Sequence, residues 1–594
     1  MQKKHYTDEK NAQIVLALLK AHGVRKIVAS PGATNIPITG SVLNDLFFEV
    51  WSAPDERSAA YIACGLAAES GEPVALSCTG ATASRNYLPG LTEAYYRKLP
   101  IIAITSMTAF DSVGHLKPQA VNRSVAPKDA VRISVSIPTV KDAADFRNRE
   151  LLINKAILEA RRGGGGPVHI NLETSYARTF NTVELPKVRV IRRITPSSAS
   201  AEFPEIPKNT KVAVFIGSHK AFSATEMAAL EEFVQRHDSV VLCDHTSSYK
   251  GDGRVLSALA CSQDTRKRPV FPQLKPDLLI HIGEVSGDYP TSGLCGSAAS
   301  VWRIGEDGEL RDLFGRLEYV FEMDEGAFFR RYSNGGGGEN PYLAAWREYD
   351  TRLRTMIPEV PFSNTWIAHQ TAPLIPENSV LHLGILNSLR NWNFFDVAPS
   401  VMTACNVGGF GIDGCVSTLI GVSLANPSKL CFGVFGDLAF FYDMNSLGNR
   451  HIGANLRILL VNNGGGGEFK LYSHIGSQFG GQTEEHIAAA RHYGNKSPDL
   501  AKHYAQDLGF RYLSAKNKGE FEIAVAEFVS PARTDTPLFF ECFTDFKDDA
   551  DALHAMEHID AETVPLPPGA ATRIAMGKML PSPVKDALKK VLGK

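Results

Sequence analysis

The stretch Gly436-Asp437-Leu438-Ala439-Phe440-Phe441-Tyr442-Asp443 decides the fold, because a continuous apolar run gives way to polar side chains there. The run before it, residues 430–435, shows no alternation of apolar and polar positions, which is typical of a parallel strand buried on both faces. A second largely apolar run, residues 456–461, ends at Asn462-Asn463. Because parallel α/β sheets bind ligands beyond the carboxyl ends of their strands, we expect these two ends to share a site.

The side chains at these two strand ends suit a metal bound to phosphate. A carboxylate from Asp437, an amide oxygen from Asn463 and a backbone carbonyl from glycines 464–467 form an all-oxygen set that Mg²⁺ prefers. The glycines let backbone N–H groups approach a phosphate, and Asp443 is expected to cap a helix that begins there. The ordinary alternative is a strand-end turn followed by an Asn-Gly hairpin.

Similar apolar runs recur along the whole chain and alternate with helix-period stretches such as residues 8–22. A Pro- and Ser-rich stretch near 182–209 and a break near 332–340 separate three sets of runs. The predicted fold is α/β, with three successive parallel-sheet domains and a C-terminal extension. The predicted domains are residues 1–185, 186–350, 351–545 and the extension 546–594. The predicted strands lie at 26–30, 73–78, 100–106, 168–172, 212–216, 239–243, 277–282, 301–304, 317–322, 380–385, 401–405, 430–435, 456–461 and 538–543.

The composition narrows the class of protein. The chain has 594 residues, 44% of them hydrophobic, and a formal net charge of −2. This balance excludes a disordered or fibrous protein and argues against a nucleic-acid or membrane-surface partner. No apolar window is long enough for a membrane span, and the polar start lacks a signal-peptide core. Nine cysteines without a C-x-x-C pair predict buried thiols, so we expect a soluble cytoplasmic protein.

The spacing of the strand-end residues resembles the thiamine-diphosphate (ThDP) motif, in which Gly-Asp-Gly is followed some 25 to 30 residues later by Asn-Asn. Here Asn463 follows Asp437 by 26 residues, and Leu438 replaces the third glycine. The resemblance implies ThDP and Mg²⁺ as cofactors, with the metal held by Asp437, the Asn463 side chain and the Gly465 carbonyl.

Two N-terminal stretches support the same resemblance. Residues 55–67 open with Asp55-Glu56 and are rich in small side chains, like the helix that carries the activating glutamate of ThDP enzymes. The resemblance implies that Glu56 hydrogen-bonds the cofactor's aminopyrimidine. It also implies at least a homodimer, and a homotetramer is the alternative. Ser30-Pro31-Gly32 resembles the first strand-end loop of that superfamily, which includes acetolactate synthase and 2-oxo acid decarboxylases.

Within the superfamily, the strongest resemblance is to the menaquinone-pathway succinyl-enolpyruvyl-hydroxycyclohexene-carboxylate (SEPHCHC) synthases. It is carried by residues 411–418, 436–445 and 462–469. It implies that Ile412 bends the cofactor and that Gln119 is an active-site polar residue, and His115 in the same loop is a candidate acid/base group. The complete set of predicted cofactor-binding residues is Ser30, Pro31, Gly32, Thr79, Gly80, Ser388, Gly411, Ile412, Gly436, Asp437, Leu438, Asn463, Gly465, Glu468 and Phe469.

The chain departs from these synthases where they bind substrate carboxylates. The family uses arginines there, whereas this chain has Thr34, Thr108, Trp392 and Val407. Without those guanidinium groups, several substrate carboxylates would be buried unpaired, at a high cost. We therefore expect a less anionic or differently shaped acceptor and an unknown 2-oxo acid donor.

The predicted function is a ThDP- and Mg²⁺-dependent carboligase that decarboxylates a 2-oxo acid and transfers the acyl-anion equivalent to an acceptor. The first alternative is simple decarboxylation that releases an aldehyde. A different-class alternative is a nicotinamide-dependent oxidoreductase, because Gly409, Gly411 and Gly414 match a dinucleotide fingerprint. A third is a catalytically silent scaffold that binds ThDP without turnover.

Overall fold

The computed structural model describes residues 5–175, 179–263, 273–333, 339–492 and 496–560. Its contacts divide the chain into two compact units. The first comprises the chain up to residue 203 together with 307–322, and the second comprises 204–306 and the chain from 323 onward. Each unit is described by itself below.

The first unit is built on a six-stranded parallel sheet. Its strand order is β2-β1-β3-β4-β6-β5, with the bounds β1 Lys26–Ala29, β2 Glu49–Ser52, β3 Val74–Thr79, β4 Ile101–Thr108, β5 Ser134–Ile137 and β6 Val168–Thr174. The unit also contains a parallel pair, β7 Arg192–Ile194 and β13 Leu317–Phe321.

Helices cover both faces of this first sheet. The bounds are α1 Lys10–Ala21, α2 Ile36–Leu43, α3 Glu56–Ser70, α4 Ala81–Asn86, α5 Leu88–Tyr96 and α6 Ala143–Arg161. Buried aliphatic side chains of α1 and α6 pack on one face, in the same cluster as Ile102 and Ile170. The small side chains of α3 and the apolar side of α5 pack with Leu76 and Ile101. This two-sided cover explains why the strands are apolar at consecutive positions.

The second unit contains two further groups of parallel strands. One has the order β10-β9-β8-β11-β12 and the other the order β15-β14-β16-β17-β19-β18. The bounds are β8 Val212–Ile216, β9 Ser239–Cys243, β10 Arg254–Leu256, β11 Leu278–Ile282, β12 Ser300–Ile304, β14 Val380–Leu383, β15 Met402–Cys405, β16 Cys431–Gly436, β17 Leu456–Asn462, β18 Arg511–Ala515 and β19 Leu538–Phe543.

Buried side chains connect these two groups of strands within the second unit. The fully buried His245, which follows β9, shares its Nε2 between the carbonyls of Trp392 and Phe395, each at 3.0 Å. The helices of this unit are α7 Ala224–Arg236, α8 Ala258–Ser262, α9 Tyr289–Cys295, α10 Glu325–Tyr332, α11 Pro341–Thr355, α12 Asn364–Thr371, α13 Asn387–Trp392, α14 Cys415–Ala425, α15 Asp437–Asp443, α16 Leu500–Asp507, α17 Lys518–Phe528 and α18 Phe546–Met556.

The first and last sheets share one topology. If the six strands of each are numbered in chain order, both sheets read 2-1-3-4-6-5. The direction of winding reverses between the first and third strands, and crevices at such reversals are where parallel α/β sheets bind ligands. The structure therefore offers one crevice at the ends of β1 and β3, and another at the ends of β14 and β16.

These sheets confirm the predicted α/β fold class with three parallel-sheet regions. Every predicted strand forms, whereas β2, β5, β7, β10 and β18 were not predicted.

The expectation that Asp443 caps a helix was wrong, since α15 begins at Asp437 and ends at Asp443. The nine cysteines are free thiols, as expected, and Cys405 alone is only partly buried. The domain boundaries stay a prediction, and residues 561–594 of the predicted extension lie outside the described residues.

Candidate active site

The candidate site lies beside the crevice of the last sheet, at the ends of β16 and its neighbour β17. β16 delivers Asp437 and β17 delivers Asn462, and Gly436 pairs in register with Val461 beside them. Asp437 is 2% exposed. Its carboxylate accepts hydrogen bonds from the backbone N–H of Leu438 at 2.7 Å and of Gly464 at 2.8 Å. One carboxylate thus joins the start of α15 to the glycine loop after β17.

The side chain of Asn463 has its two ends in different environments. Its Nδ2 donates to Oδ2 of Asp549 at 2.9 Å, while its Oδ1 receives only a long 3.4 Å contact from the Gly465 N–H among the described residues. The oxygen is therefore the end left available for a ligand. Burial raises the pKa of Asp549 to about 6.

The glycine loop packs too closely for larger residues. A Cβ atom at Gly465 would lie 2.8 Å from the Ala488 carbonyl oxygen, and Gly464 has a φ of +89°. The site thus offers one carboxylate, one amide oxygen and backbone carbonyls, a donor set that fits Mg²⁺ bound to a diphosphate. No group of three or more His, Cys, Asp or Glu side chains that could hold a metal ion occurs in the described part of the chain, and the predicted set does not need one.

Three further predicted residues lie near this loop. Glu468 forms a two-pronged ion pair with Arg390 of α13, at 2.7 and 2.9 Å, next to the buried Ser388. This pair ties the glycine loop to the helix after β14. The ring of Phe469 lies 3.0 Å from where a Cβ atom at Gly466 would stand.

The predicted loop at Gly411 and Ile412 leads from β15 to α14, with Ile412 partly exposed. A dinucleotide fingerprint also needs a strand–loop–helix context, and Gly409, Gly411 and Gly414 have one. However, β15 is an edge strand that pairs only with β14, so it does not neighbour β16, which carries Asp437. This strand order argues against a nicotinamide site there.

Asp443 has a different role from the predicted one. Its carboxylate accepts two hydrogen bonds from Ser417 of α14, one from the backbone N–H and one from the hydroxyl, both at 2.6 Å. It therefore ties the end of α15 to the first turn of α14, directly after the loop that carries Ile412.

The first unit gathers its predicted residues at the matching crevice, between β1 and β3. Ser30 follows β1 and is buried, whereas Pro31 is exposed. A Cβ atom at Gly32 would lie 2.7 Å from Cβ of Thr79, which ends β3, and Gly80 follows as the N-cap of α4. The two predicted loops are therefore in contact.

Glu56 is the first residue of α3 and is partly exposed. Asp55 caps this helix, because its carboxylate accepts the Ser58 N–H at 2.8 Å, which leaves Glu56 out of the capping role. Burial raises the pKa of Cys78 to about 12, and the charge of Glu56 adds to this shift. Since Cys78 lies near the end of β3, the Glu56 carboxylate lies within electrostatic range of that crevice.

His115 and Gln119 do not join a buried cluster. Both side chains are exposed in the long loop between β4 and β5, and Gln119 has a φ of +66°. Their predicted catalytic roles stay predictions.

Comparisons with known proteins identify the family of the chain. The family model "Thiamine pyrophosphate enzyme, N-terminal TPP binding domain" matches residues 9–126. The chain is 33% identical to the 2-succinyl-5-enolpyruvyl-6-hydroxy-3-cyclohexene-1-carboxylate (SEPHCHC) synthase of Phocaeicola vulgatus, covering 93% of this chain and 99% of that protein. It is 31% identical to the synthase of Bacteroides thetaiotaomicron, over the same shares. The chain belongs to the family of the SEPHCHC synthases. It is therefore a ThDP-dependent enzyme of the transferase or lyase type.

Four positions at which we expected arginines from the resemblance to the SEPHCHC synthases carry other residues in this chain. Thr34 is buried and hydrogen-bonds to Thr79 and to the Ser106 carbonyl. Trp392 and Val407 are buried in the second unit. No cation stands at these three positions or at Thr108.

Sequence reasoning missed three side chains that support the glycine loop and the two asparagines before it. Arg390 holds Glu468, Asp549 holds Asn463, and Glu541 accepts a 2.7 Å hydrogen bond from Nδ2 of Asn462. Only Glu541 gave a signal, as the single acid inside the apolar run of β19.

Within the described ranges, no helix is long and apolar enough to cross a membrane.

Proposed function

We propose that this enzyme is a ThDP- and Mg²⁺-dependent carboligase that decarboxylates a 2-oxo acid and passes the acyl group, as its anion equivalent, to an acceptor. The observation that carries the proposal is the meeting of Asp437, Asn463 and the Gly465 backbone at neighbouring strand ends. These groups would hold the metal and, through it, the diphosphate. ThDP, when bound, supplies the centre that stabilises the negative charge left by CO₂.

Other side chains would contact the aminopyrimidine ring of the cofactor. Glu56 would orient the aminopyrimidine and hold a proton at its ring nitrogen, because its carboxylate is not used in capping α3. Ser30, Gly32, Thr79 and Gly80 would line the space beside that ring, where a small residue such as Gly32 permits close approach.

The acceptor is proposed to be smaller, less anionic or differently shaped than one that would yield the compound in the relatives' name. The side chains of Thr34, Trp392 and Val407 are buried and neutral, so they offer no positive charge to anionic groups placed beside them. We therefore expect the purified enzyme not to form 2-succinyl-5-enolpyruvyl-6-hydroxy-3-cyclohexene-1-carboxylate at an appreciable rate.

The test is a screen of the protein loaded with ThDP and Mg²⁺ for CO₂ release from pyruvate, 2-oxoglutarate and other 2-oxo acids. Product analysis follows, with and without added carbonyl or activated-alkene acceptors. A ligated product supports the proposal, whereas release of an aldehyde alone would establish the simple decarboxylase. ThDP binding without any CO₂ release would indicate the silent scaffold, and tight NADH binding without ThDP binding would contradict the proposal altogether.

A homodimer or homotetramer is part of the proposal. The outer side of α3 exposes Tyr61 and Ile62, at 47% and 45%, on the same helix as Glu56. Apolar side chains of this size are common in subunit contacts. Light scattering on the purified protein would test this part, and a monomer at micromolar concentration would contradict it.

A further inference from the structure

The two adjacent asparagines after β17 are each held by a buried carboxylate. Nδ2 of Asn462 donates to Glu541 at 2.7 Å, and Nδ2 of Asn463 donates to Asp549 at 2.9 Å. Glu541 is fully buried and Asp549 is 7% exposed. In both side chains the nitrogen is thus engaged by the protein, and the oxygen is directed elsewhere.

Asp549 is surrounded by hydrogen-bond donors. Its Oδ1 accepts the backbone N–H of Asn364 at 2.7 Å, and its Oδ2 accepts the Thr544 hydroxyl at 3.1 Å as well as Nδ2 of Asn463. Asp549 lies on α18, 86 residues beyond Asn463 in the chain. A carboxylate is the side chain that can accept all three bonds.

This arrangement determines which end of the Asn463 amide is presented. An amide has one donor end and one acceptor end, and Mg²⁺ takes oxygen ligands. We propose that Asp549 is the positioning residue that makes Asn463 present its oxygen, and not its nitrogen, to the metal of the cofactor. The inference rests on the proposed function, since it concerns the same metal site.

Asp549→Asn gives a directional test of the proposal. The backbone N–H of Asn364 cannot turn round, so the oxygen of the new amide must stay on that side and its NH₂ group must face Asn463. Two NH₂ groups cannot pair, so Asn463 turns its oxygen toward residue 549 and its nitrogen toward the metal. Loss of such a supporting contact typically weakens metal binding about 10–100-fold.

Glu541→Gln is the matched control, because it also removes one buried negative charge next to the same loop. Glu541 accepts from Asn462 and from the hydroxyl of Tyr512, at 2.7 Å each. A hydroxyl can accept as well as donate, so the new amide can donate to Tyr512 and still accept from Asn462. We expect its affinity for Mg²⁺ to stay within about 3-fold of the wild type.

The double variant Asn463→Asp with Asp549→Asn tests whether orientation is the cause. The carboxylate at 463 would accept from the amide at 549 with one oxygen and offer the other to the metal. The net charge of the pair is unchanged.

The experiment titrates Mg²⁺ into each protein at fixed ThDP and follows cofactor binding by intrinsic fluorescence, with thermal unfolding of the cofactor-free proteins to verify folding. We expect the Mg²⁺ concentration at half-saturation to rise about 10–100-fold in Asp549→Asn. In the double variant it should return most of the way to the wild-type value. Equal affinity of the folded single variant and the wild type would overturn the inference, as would a double variant no better than the single one. If the wild type itself does not bind ThDP and Mg²⁺, the proposed function fails instead.

Discussion

At the scale of single residues, Glu56 and Asp437 are both acidic and both have a proposed chemical role, but they differ in their structural role. Asp55 caps α3, so Glu56 is not needed for that purpose. Asp437 accepts two backbone N–H groups while standing at the end of β16. The chemical role of Glu56 is therefore testable by a conservative substitution, because its neighbour Asp55 has the structural role.

Glu56→Gln should abolish most of the turnover while the protein still binds ThDP and Mg²⁺. The amide has nearly the same shape but cannot hold the proton in the same way, and positioned acid–base groups are typically worth about 10²–10⁴-fold in rate. Steady-state CO₂ release and cofactor binding would be measured side by side.

Asp55→Asn is the control for this prediction, because asparagine caps helices as well as aspartate does. It should leave turnover nearly unchanged. Turnover of Glu56→Gln at the wild-type rate would show that the assigned role of Glu56 is wrong.

At the scale of elements, sequence predicted the long central strands and missed the short outer ones. Strands such as β16 and β17 are buried on both faces, and burial demands consecutive apolar residues that are visible in the sequence. In contrast, β2 is largely exposed, including Trp51, and β18 buries only Ala515 fully. Their pairing depends on the neighbouring strand, so their own residues carry little signal.

The same limit applies to the candidate site. The ends of β16 and β17 were predictable because a motif of local spacing marks them. The partners Arg390 and Asp549 were not, because their contacts join residues 78 and 86 positions apart. Asp443 was assigned to the wrong end of α15, since an aspartate after an apolar run fits a helix start and a helix end equally well in sequence.

Asp443→Ala should destabilise the protein through the contact between α15 and α14. The substitution removes both hydrogen bonds from the exposed Ser417 to the carboxylate, and the loss of two such bonds typically costs about 1–3 kcal/mol in total. Urea denaturation would measure the free energy of unfolding. The exposed Asp413→Ala, in the preceding loop, is the control, and an equal effect of the two substitutions would contradict the prediction.

At the scale of the whole molecule, buried titratable groups act on stability in opposite directions. Burial lowers the pKa of His169 to about 3, and those of His245 and His382 to about 4. Burial also raises the pKa of Asp288 to about 7, with a further contribution from Asp244. Between pH 4 and 7 the buried histidines and Asp288 change the free energy of unfolding in opposite directions. The pH dependence of the wild type is therefore the difference of the two contributions.

His169→Gln and Asp288→Asn should each remove one contribution, so their unfolding free energies relative to the wild type should change with pH in opposite directions. The folded pKa of His169 is below its unfolded value of about 6.5, so its contribution is complete above pH 6.5 and is lost as the pH falls toward 3. The folded pKa of Asp288 is above its unfolded value of about 3.9, so its contribution is complete below that pH and is lost as the pH rises through 7.

Each group can change the stability by at most about 1.4 kcal/mol per pH unit. Unfolding free energies of the variants and the wild type, measured from pH 4 to 8, would give the two slopes. Relative to the wild type, His169→Gln should gain as the pH falls and Asp288→Asn should gain as the pH rises. Slopes of the same sign would show that one of the two environments has been misjudged.

The shared strand order of the first and last sheets also bears on the history of the chain. Two sheets with the same strand order in one chain are the pattern that duplication of an ancestral segment leaves behind. After such a copying event, each crevice could change its lining while the other preserved the original use. The first now offers hydroxyls and glycines at Ser30, Thr79 and Gly80, and the second offers Asp437 and Asn463. On this view the two sheets descend from one ancestral segment, and their different linings arose afterwards.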